Sequence, residues 1–253
     1  MGGTLAKWFN KKTSHDIRRV DPALGLNDPL EGCIAIFVSV PVPAHARGQD
    51  TANLESAVTL AKSYCENVFI RSTVLPGTND RLGTIAMPEF LTERRALEDF
   101  EELPILLGPL KTDLAIERIF PNKKIYFMPN VDAELSKFTH NCFGAFKVTY
   151  FNIIEELSRK LGADYQNVLL GSGLTGFIER THTMVPGPDG LRGYGGKCFP
   201  ENVDAMRRFL TDGRLSMLAA QSFFGTMKAL NEIHRAPFLR EFEESKHEHE
   251  GYA

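Results

Sequence analysis

Short, nearly continuous apolar runs alternate with amphipathic stretches through the first half of the chain. CIAIFVSV (Cys33–Val40) is apolar at almost every position, as a strand buried on both faces would be. Val68–Ile70, Ile85–Met87, Pro104–Leu107 and Ile125–Met128 are shorter runs of the same kind, and His15–Val20 is a further candidate strand ending at Asp21. Asn53–Tyr64 and Asp113–Phe120 carry apolar residues at helical spacing. Strands alternating with helices predict an α/β layer with a mostly parallel, doubly wound sheet. Such a sheet takes ligands outside the carboxyl ends of its strands. That places Pro41 in VPVP, Ser72-Thr73 and Pro88-Glu89-Phe90-Leu91 where a ligand would lie.

The second half is helical. Leu135, Phe138, Cys142, Ala145, Thr149, Ile153, Leu157 and Leu161 recur at steps of three and four, so Ala133–Leu161 is predicted as one long helix, stopped by Gly162. Its extra aromatics (Phe143, Phe146, Tyr150, Phe151) require cover on more than one face. Lys137 and Asn141 lie four residues apart and face the same way. A cation and an amide so placed suit an oxyanion or sugar hydroxyls, or are simply a solvated helix face. Val203–His234 is a second helical region, interrupted near Asp212-Gly213. Gly171–Arg192 reads as one long glycine- and proline-rich loop, with His182 a structural residue in it.

Composition narrows the classes. With 253 residues and 43% hydrophobic content, the chain can bury a substantial core, and its net charge of −3 gives no footprint for nucleic acid. No apolar run is long enough to span a membrane, and MGGTLAKWFNKK lacks the apolar stretch of a secretory signal. Cys33, Cys65, Cys142 and Cys198 show no paired spacing, which argues against a metal site or a disulfide framework and for a soluble, reduced, cytoplasmic protein. EFEESKHEHEGYA has charge without apolar periodicity and is expected to be a disordered tail.

Gly193-Tyr194-Gly195-Gly196-Lys197-Cys198-Phe199-Pro200 carries the candidate chemistry. Pro200 suits the first helical position, so Cys198 would sit just before a helix N-terminus with Lys197 beside it. Both neighbours favour a thiolate, the state of a nucleophile. The competing reading is a buried, inert cysteine. Asp21 falls roughly twenty residues past Gly2-Gly3, the spacing at which an acidic residue holds a ribose hydroxyl, although Asp before Pro is equally a turn.

Four segments, in order, resemble the nucleotide-sugar dehydrogenases, the UDP-glucose and GDP-mannose 6-dehydrogenase family: RSTVLPGT (71–78), MPEFLTE (87–93), AELSKFTHNCFGAFK (133–147) and GYGGKCFPEN (193–202). The resemblance implies a Rossmann-like NAD-binding domain over 1–130, an all-α central dimerisation domain over 131–238 and a tail over 239–253. It implies oxidation of the C6 alcohol of a UDP- or GDP-hexose to a uronic acid, with NAD as cofactor and a homodimer as the assembly. By the same resemblance Cys198 is the nucleophile, Lys137 and Asn141 stabilise the oxyanion, Glu89 handles water as acid and base, and Thr73 lies near the nicotinamide. Gly2, Gly3, Asp21, Pro41, Thr73 and Glu93 fall at cofactor positions. Glu89, Lys137, Asn141, Gly187, Leu191 and Gly195 fall at substrate positions, and no metal is implied.

The chain also departs from the family's pattern. It starts where the family's first strand ends, so that strand is expected to be missing, and it stops before the family's C-terminal nucleotide-binding domain. VPTP becomes VPVP, with Val42 in place of a hydroxyl. Lys-Asp after Cys-Phe-Pro becomes Glu201-Asn202. The sugar-binding arginine aligns with Phe177. The alternative is therefore a non-catalytic, dimerising or cofactor-binding member of the family. A cysteine hydrolase needs a histidine base that the sequence does not place beside Cys198.

Overall fold

The structure is a computed structural model. It describes residues 2–45, 48–110, 112, 114–211 and 217–236, without the side chain of Glu93. The chain divides into two compact units: Met1–His45 with Gln49–Phe138, and Ala46–Gly48 with Thr139–Ala253.

The first unit opens with a helix that the apolar pattern had not singled out, α1 (Gly2–Lys12). Leu5, Trp8 and Phe9 fall on one face and are buried, while Lys11 and Lys12 complement the negative end of the helix dipole. The expected strand His15–Val20 does not form. Only β1 (Val20–Asp21) is extended, and it pairs antiparallel with β2 (Leu26–Asn27). Asp21-Pro22 turns the chain, Gly25 closes the turn at φ 67°, and Arg18 holds the carbonyls of Pro29 and Glu31. Arg19 N donates to Asp28 Oδ2 at 2.7 Å and Arg19 O accepts from Asp28 N at 3.1 Å, so the backbone just ahead of β1 is bonded locally.

Then come β3 (Ile36–Val38), β4 (Ala44–His45), β5 (Gly48–Gln49), α2 (Ala52–Lys62), β6 (Val68–Ile70), α3 (Thr78–Leu82), β7 (Ile85–Ala86), α4 (Ala96–Glu102), β8 (Ile105–Leu107), α5 (Ile116–Ile119) and β9 (Ile125–Phe127). β6 has the bounds of its apolar run, the other strands and helices are a residue or more shorter than theirs, and Asp113 lies outside the described residues. β3, β6 and β7 form a parallel sheet in that order, with Ile36 opposite Val68 and Phe69 opposite Ile85. β8 and β9 pair in parallel, and Gly108 N, just past β8, donates to Ala86 O of β7.

Alternation along the strands sends side chains to two faces. Phe37 and Phe69 stack at 4.9 Å and join Trp8, Phe9, Phe100 and Phe120 on one side, under α1 and α4. Val38, Val68 and Ile70 pack with Leu54 and Val58 of α2 on the other. Helices cover both faces, as in a doubly wound α/β layer.

α6 (Asn130–Leu161) runs 32 residues, three longer at its start than its apolar periodicity implies. Asn130 pins that start: its Oδ1 accepts from Ala86 N at 2.9 Å and its Nδ2 donates to Asp80 at 2.8 Å. In the second unit follow α7 (Tyr165–Gly173), α8 (Cys198–Phe209) and α9 (Leu218–Arg235). α7 corrects the expectation of a continuous loop from Gly171. Asp164 caps it by accepting from Gln166 N, so helix persists to Gly173. α8 and α9 pack together, with Val203 and Met206 of α8 and Met227 of α9 buried. The break expected near Asp212-Gly213 and the tail from 239 lie outside the described residues.

Candidate active site

In the first unit the turn after β6 is fixed by an acid on α6. Glu134 accepts from Gly77 N at 2.6 Å and from Asn79 N and Nδ2 at 2.7 and 2.8 Å. Burial pushes its carboxyl up, and these bonds pull it partly back. One helical turn on, the buried Lys137 sets its ammonium 5.1 Å from the Phe90 ring. Ser72, Thr73, Glu134 and Lys137 line one small pocket with Ile70 and Pro88. Two of the expected site residues, Thr73 and Lys137, are thus brought together. Glu89 stands in an ion pair with Arg71, Nη2 to Oε2 at 3.1 Å, with the Arg71 side chain 1% exposed and that of Glu89 10%. Burial lowers the Arg71 pKa, and the Glu89 charge opposes that shift.

The expected cofactor positions fare unevenly. Gly2 and Gly3 begin α1, beside the loop after β3. A side chain on Gly2 would meet Ser39 Cβ at 3.6 Å, while Gly3 faces open space. Ser39 Oγ is buried and finds no hydrogen-bond partner. A helix N-terminus, open glycine surface and an orphaned hydroxyl together fit a phosphate group. Asp21 caps its own turn by accepting from Ala23 N at 3.1 Å, and it does not end a strand of the parallel sheet. Pro41 is exposed after β3, and Glu93 begins a short 3-10 turn, its side chain lying outside the described residues.

In the second unit, Cys198 is the first residue of α8, and Pro200 is the third. Pro200 had been expected at the first helical position. The two positions differ little in cost, because no N–H of the first turn has an intrahelical partner. Cys198 is exposed, whereas Cys142 is buried and its thiol is pushed up to about 12 by desolvation. Asn141 Nδ2 donates to Asn202 Oδ1 at 2.5 Å, and Cys142 Sγ lies 3.7 Å from Asn202 O. Asn141 is thereby joined to the helix that begins with Cys198. Gly187 N donates to Leu191 O at 2.8 Å, closing a tight turn, and Gly195 lies under the Arg235 guanidinium. Phe177 is 90% exposed. His182 rests its ring 5.4 Å from Phe199, and burial followed by the nearby Lys147 lowers its pKa. Among the described residues no group of three His, Cys, Asp or Glu is placed to hold a metal ion.

Residues 131–232 match the model of the UDP-glucose/GDP-mannose dehydrogenase family, central domain. That stretch of the chain belongs to the family. Of the four resembling segments, 133–147 and 193–202 lie inside the matched region and carry Lys137, Asn141 and Cys198. The UDP-glucose 6-dehydrogenase of Rhizobium meliloti (strain 1021) is 30% identical over 222 residues, which are 75% of this chain and 49% of that protein. The UDP-glucose 6-dehydrogenase YwqF of Bacillus subtilis (strain 168) is 31% identical over 196 residues, 68% of this chain and 43% of that protein. Among solved structures of the family, a UDP-glucose dehydrogenase from the hyperthermophilic archaeon Pyrobaculum islandicum aligns with a TM-score of 0.67 and 26% identity. It covers 79% of this chain and 51% of its own. The chain spans about half the length of the curated relatives it matches.

Ser39, Gln49, Glu134, Asn231 and Arg235 were not singled out by sequence. Glu134 alone had a signal, three residues before Lys137 in AELSK, where the two share a helix face.

Proposed function

We propose that this chain is an NAD-dependent nucleotide-sugar 6-dehydrogenase, oxidising the C6 alcohol of a UDP- or GDP-hexose to a uronic acid. The observation that carries the reading is Cys198, exposed at the first position of α8, with Asn202 of that helix bonded to Asn141 of α6. Bound NAD supplies the hydride acceptor, one molecule for each of two oxidations. Gly2, Gly3 and the Ser39 hydroxyl would hold its phosphates, with Pro41 and Thr73 along the same edge. Glu93 and Asp21 are the remaining cofactor positions, and the second is the weaker because its carboxylate caps a turn.

The alcohol gives up a hydride and a proton to become the aldehyde. The Cys198 thiolate adds to that carbonyl, forming a C–S bond and a thiohemiacetal. Lys137 and the Asn141 amide stabilise the oxyanion. Loss of the second hydride leaves a thioester. Water then breaks the C–S bond, releasing the carboxylate and the thiol, with Glu89 taking the proton of that water. Gly187, Leu191 and Gly195 offer backbone to the sugar nucleotide.

We read the assembly as a homodimer through α6 and α9, because Tyr150, Ile153, Leu157 and Leu161 leave an exposed apolar stripe on α6. Four free cysteines suit a cytoplasmic setting. Among the described residues no helix is long and apolar enough to cross a membrane. The second reading, a non-catalytic member that dimerises or binds cofactor, is favoured by Asn202. That residue presents a neutral amide where the family pattern has a carboxylate.

The deciding experiment tracks the absorbance of reduced nicotinamide with NAD and UDP-glucose or GDP-mannose, for the parent and Cys198→Ala. Turnover lost in the variant supports the dehydrogenase. No turnover in the parent at millimolar NAD and substrate gives the second reading.

A further inference from the structure

The glycine turn ahead of Cys198 is held from a different helix. Tyr194 N donates to Asn231 Oδ1 at 2.7 Å, and Asn231 Nδ2 donates back to Tyr194 O at 3.0 Å. Arg235, one turn further along α9, donates Nε to the same carbonyl at 2.8 Å. Its Nη2 donates to Asp189 Oδ2 at 2.8 Å and reaches Gly193 O at 3.4 Å. Asn231 and Tyr194 are buried. The approach is close enough to dictate side chains. A Cβ on Gly193 would stand 2.4 Å from Asn231 Oδ1, and one on Gly195 would stand 2.1 Å from Arg235 Nη2 and 2.8 Å from Asp189 Oδ2.

The turn runs directly into α8, which begins at Cys198 and whose N-cap residue Lys197 provides no side-chain cap. A helix start with no cap of its own frays unless its flanking chain is fixed. Here the flanking chain is the turn that Asn231 and Arg235 hold.

We propose that Asn231 and Arg235 are positioning residues, a latch from α9 that sets the Gly193–Gly196 turn and thereby the reactivity of Cys198. The proposal rests on reading Cys198 as the reactive thiol of the site. Releasing the latch frays the first turn of α8 and weakens the partial positive charge of the helix start at which Cys198 stands. Arg235 acts through the backbone of the turn and through Asp189, and neither latch residue takes a chemical role.

The sterics supply the test. Gly195→Ala displaces the Arg235 guanidinium, so it should do what Arg235→Ala does. The measurement is the rate of Cys198 labelling at limiting iodoacetamide, read by peptide mass spectrometry, with Cys65 and Cys142 as internal reporters of global opening. Each single variant is expected to slow Cys198 about threefold with the two buried thiols unchanged, and the double variant to slow it no further. Labelling of Cys198 at the parental rate in both variants overturns the latch. So do additive effects in the double variant, or a change at Cys198 matched by faster labelling of Cys65 and Cys142. If Cys198 slows as expected while the parent oxidises no nucleotide sugar, the latch stands and the dehydrogenase reading falls. If the parent is active, kcat should fall with labelling while KM for NAD holds.

Discussion

Asn141 and Asn202 share one hydrogen bond, Nδ2 to Oδ1 at 2.5 Å, with both side chains buried. Asn202 lies one helical turn from Cys198, so the pair sits on the same helix face as the thiol. A carboxylate at 202 would accept the same bond more strongly and add a base to the cluster. Asn202→Asp is expected to raise the rate of uronate formation about tenfold or more. Combined with Glu201→Lys, it should also tighten NAD about tenfold, because a negative charge in the first turn of α8 is replaced by a positive one. Calorimetric titration with NAD and initial rates check both effects. Unchanged values in the double variant would mean that these two positions do not explain the chain's departure from its family.

The Arg71–Glu89 pair separates chemistry from stability. Glu89→Ala leaves a buried guanidinium without its main counter-charge and should cost about 3 kcal/mol in a denaturant melt. Glu89→Gln keeps an oxygen acceptor for Arg71 Nη2 and should cost clearly less, yet lose about two decades of turnover if Glu89 is the base. A Gln variant with full activity would remove Glu89 from the chemistry and leave it a structural partner of Arg71.

Acid sensitivity should be traceable to Asp204. Burial pushes its carboxyl up, but hydrogen bonds from Arg208, Arg207 and Lys228 outweigh that and hold it at about 2. The folded value lies below the unfolded one of 3.8. The stabilisation is therefore present above pH ~4 and lost as pH falls toward ~2. With its partners partly exposed, screening leaves about 1 kcal/mol. Asp204→Asn should lower stability by that amount at pH 7 and match the parent near pH 2, as read by urea melts at the two values. Because Lys228 ties Asp204 to α9, the loss should appear as weaker α8–α9 packing.

The stripe on α6 makes a concentration-independent dimer the expected species at micromolar protein. Phe146 meets Phe223 of α9 at 5.7 Å, which extends the apolar surface across two helices. Ile153→Glu puts a charge in its middle and should give the mass of one chain in sedimentation. A parent that sediments as a monomer throughout would rule out this face as a stable interface.

The sheet was legible because fully buried strands must be apolar on both faces, so Val68–Ile70 could be little else. The long helix was legible for a similar reason: its period persists for eight turns. α1 was missed because its two leading glycines suggested a loop, although Leu5, Trp8 and Phe9 already had helical spacing. His15–Val20 misled because its backbone is satisfied locally, His15 N by Thr13 Oγ1 and Arg19 by Asp28, rather than by a neighbouring strand. Cys198 was legible from its glycine turn and Pro200, Lys137 with Asn141 from their four-residue spacing, and Thr73 and Glu89 from their places after strands. Their individual roles came only from short segments resembling a known family. The residues that hold them, such as Arg71, Glu134, Asn231 and Arg235, act through contacts distant in sequence, which no local pattern encodes.

One side chain ties down the two loops nearest the sheet's carboxyl edge. Gln49 donates to Thr73 O at 2.9 Å and to Val42 O at 3.4 Å, and accepts from Leu75 N at 2.8 Å. Both carbonyls are thus turned toward the protein, and the path of each loop is set from position 49 rather than by its own side chains. A hydroxyl at position 42 would arrive on a backbone already held in place. Val42 is half-buried against the cluster of Val38, Leu54 and Val58, so the VPVP departure exchanges a hydroxyl for a packed methyl on a fixed frame, and a single Val42→Thr substitution would reverse it without moving the chain.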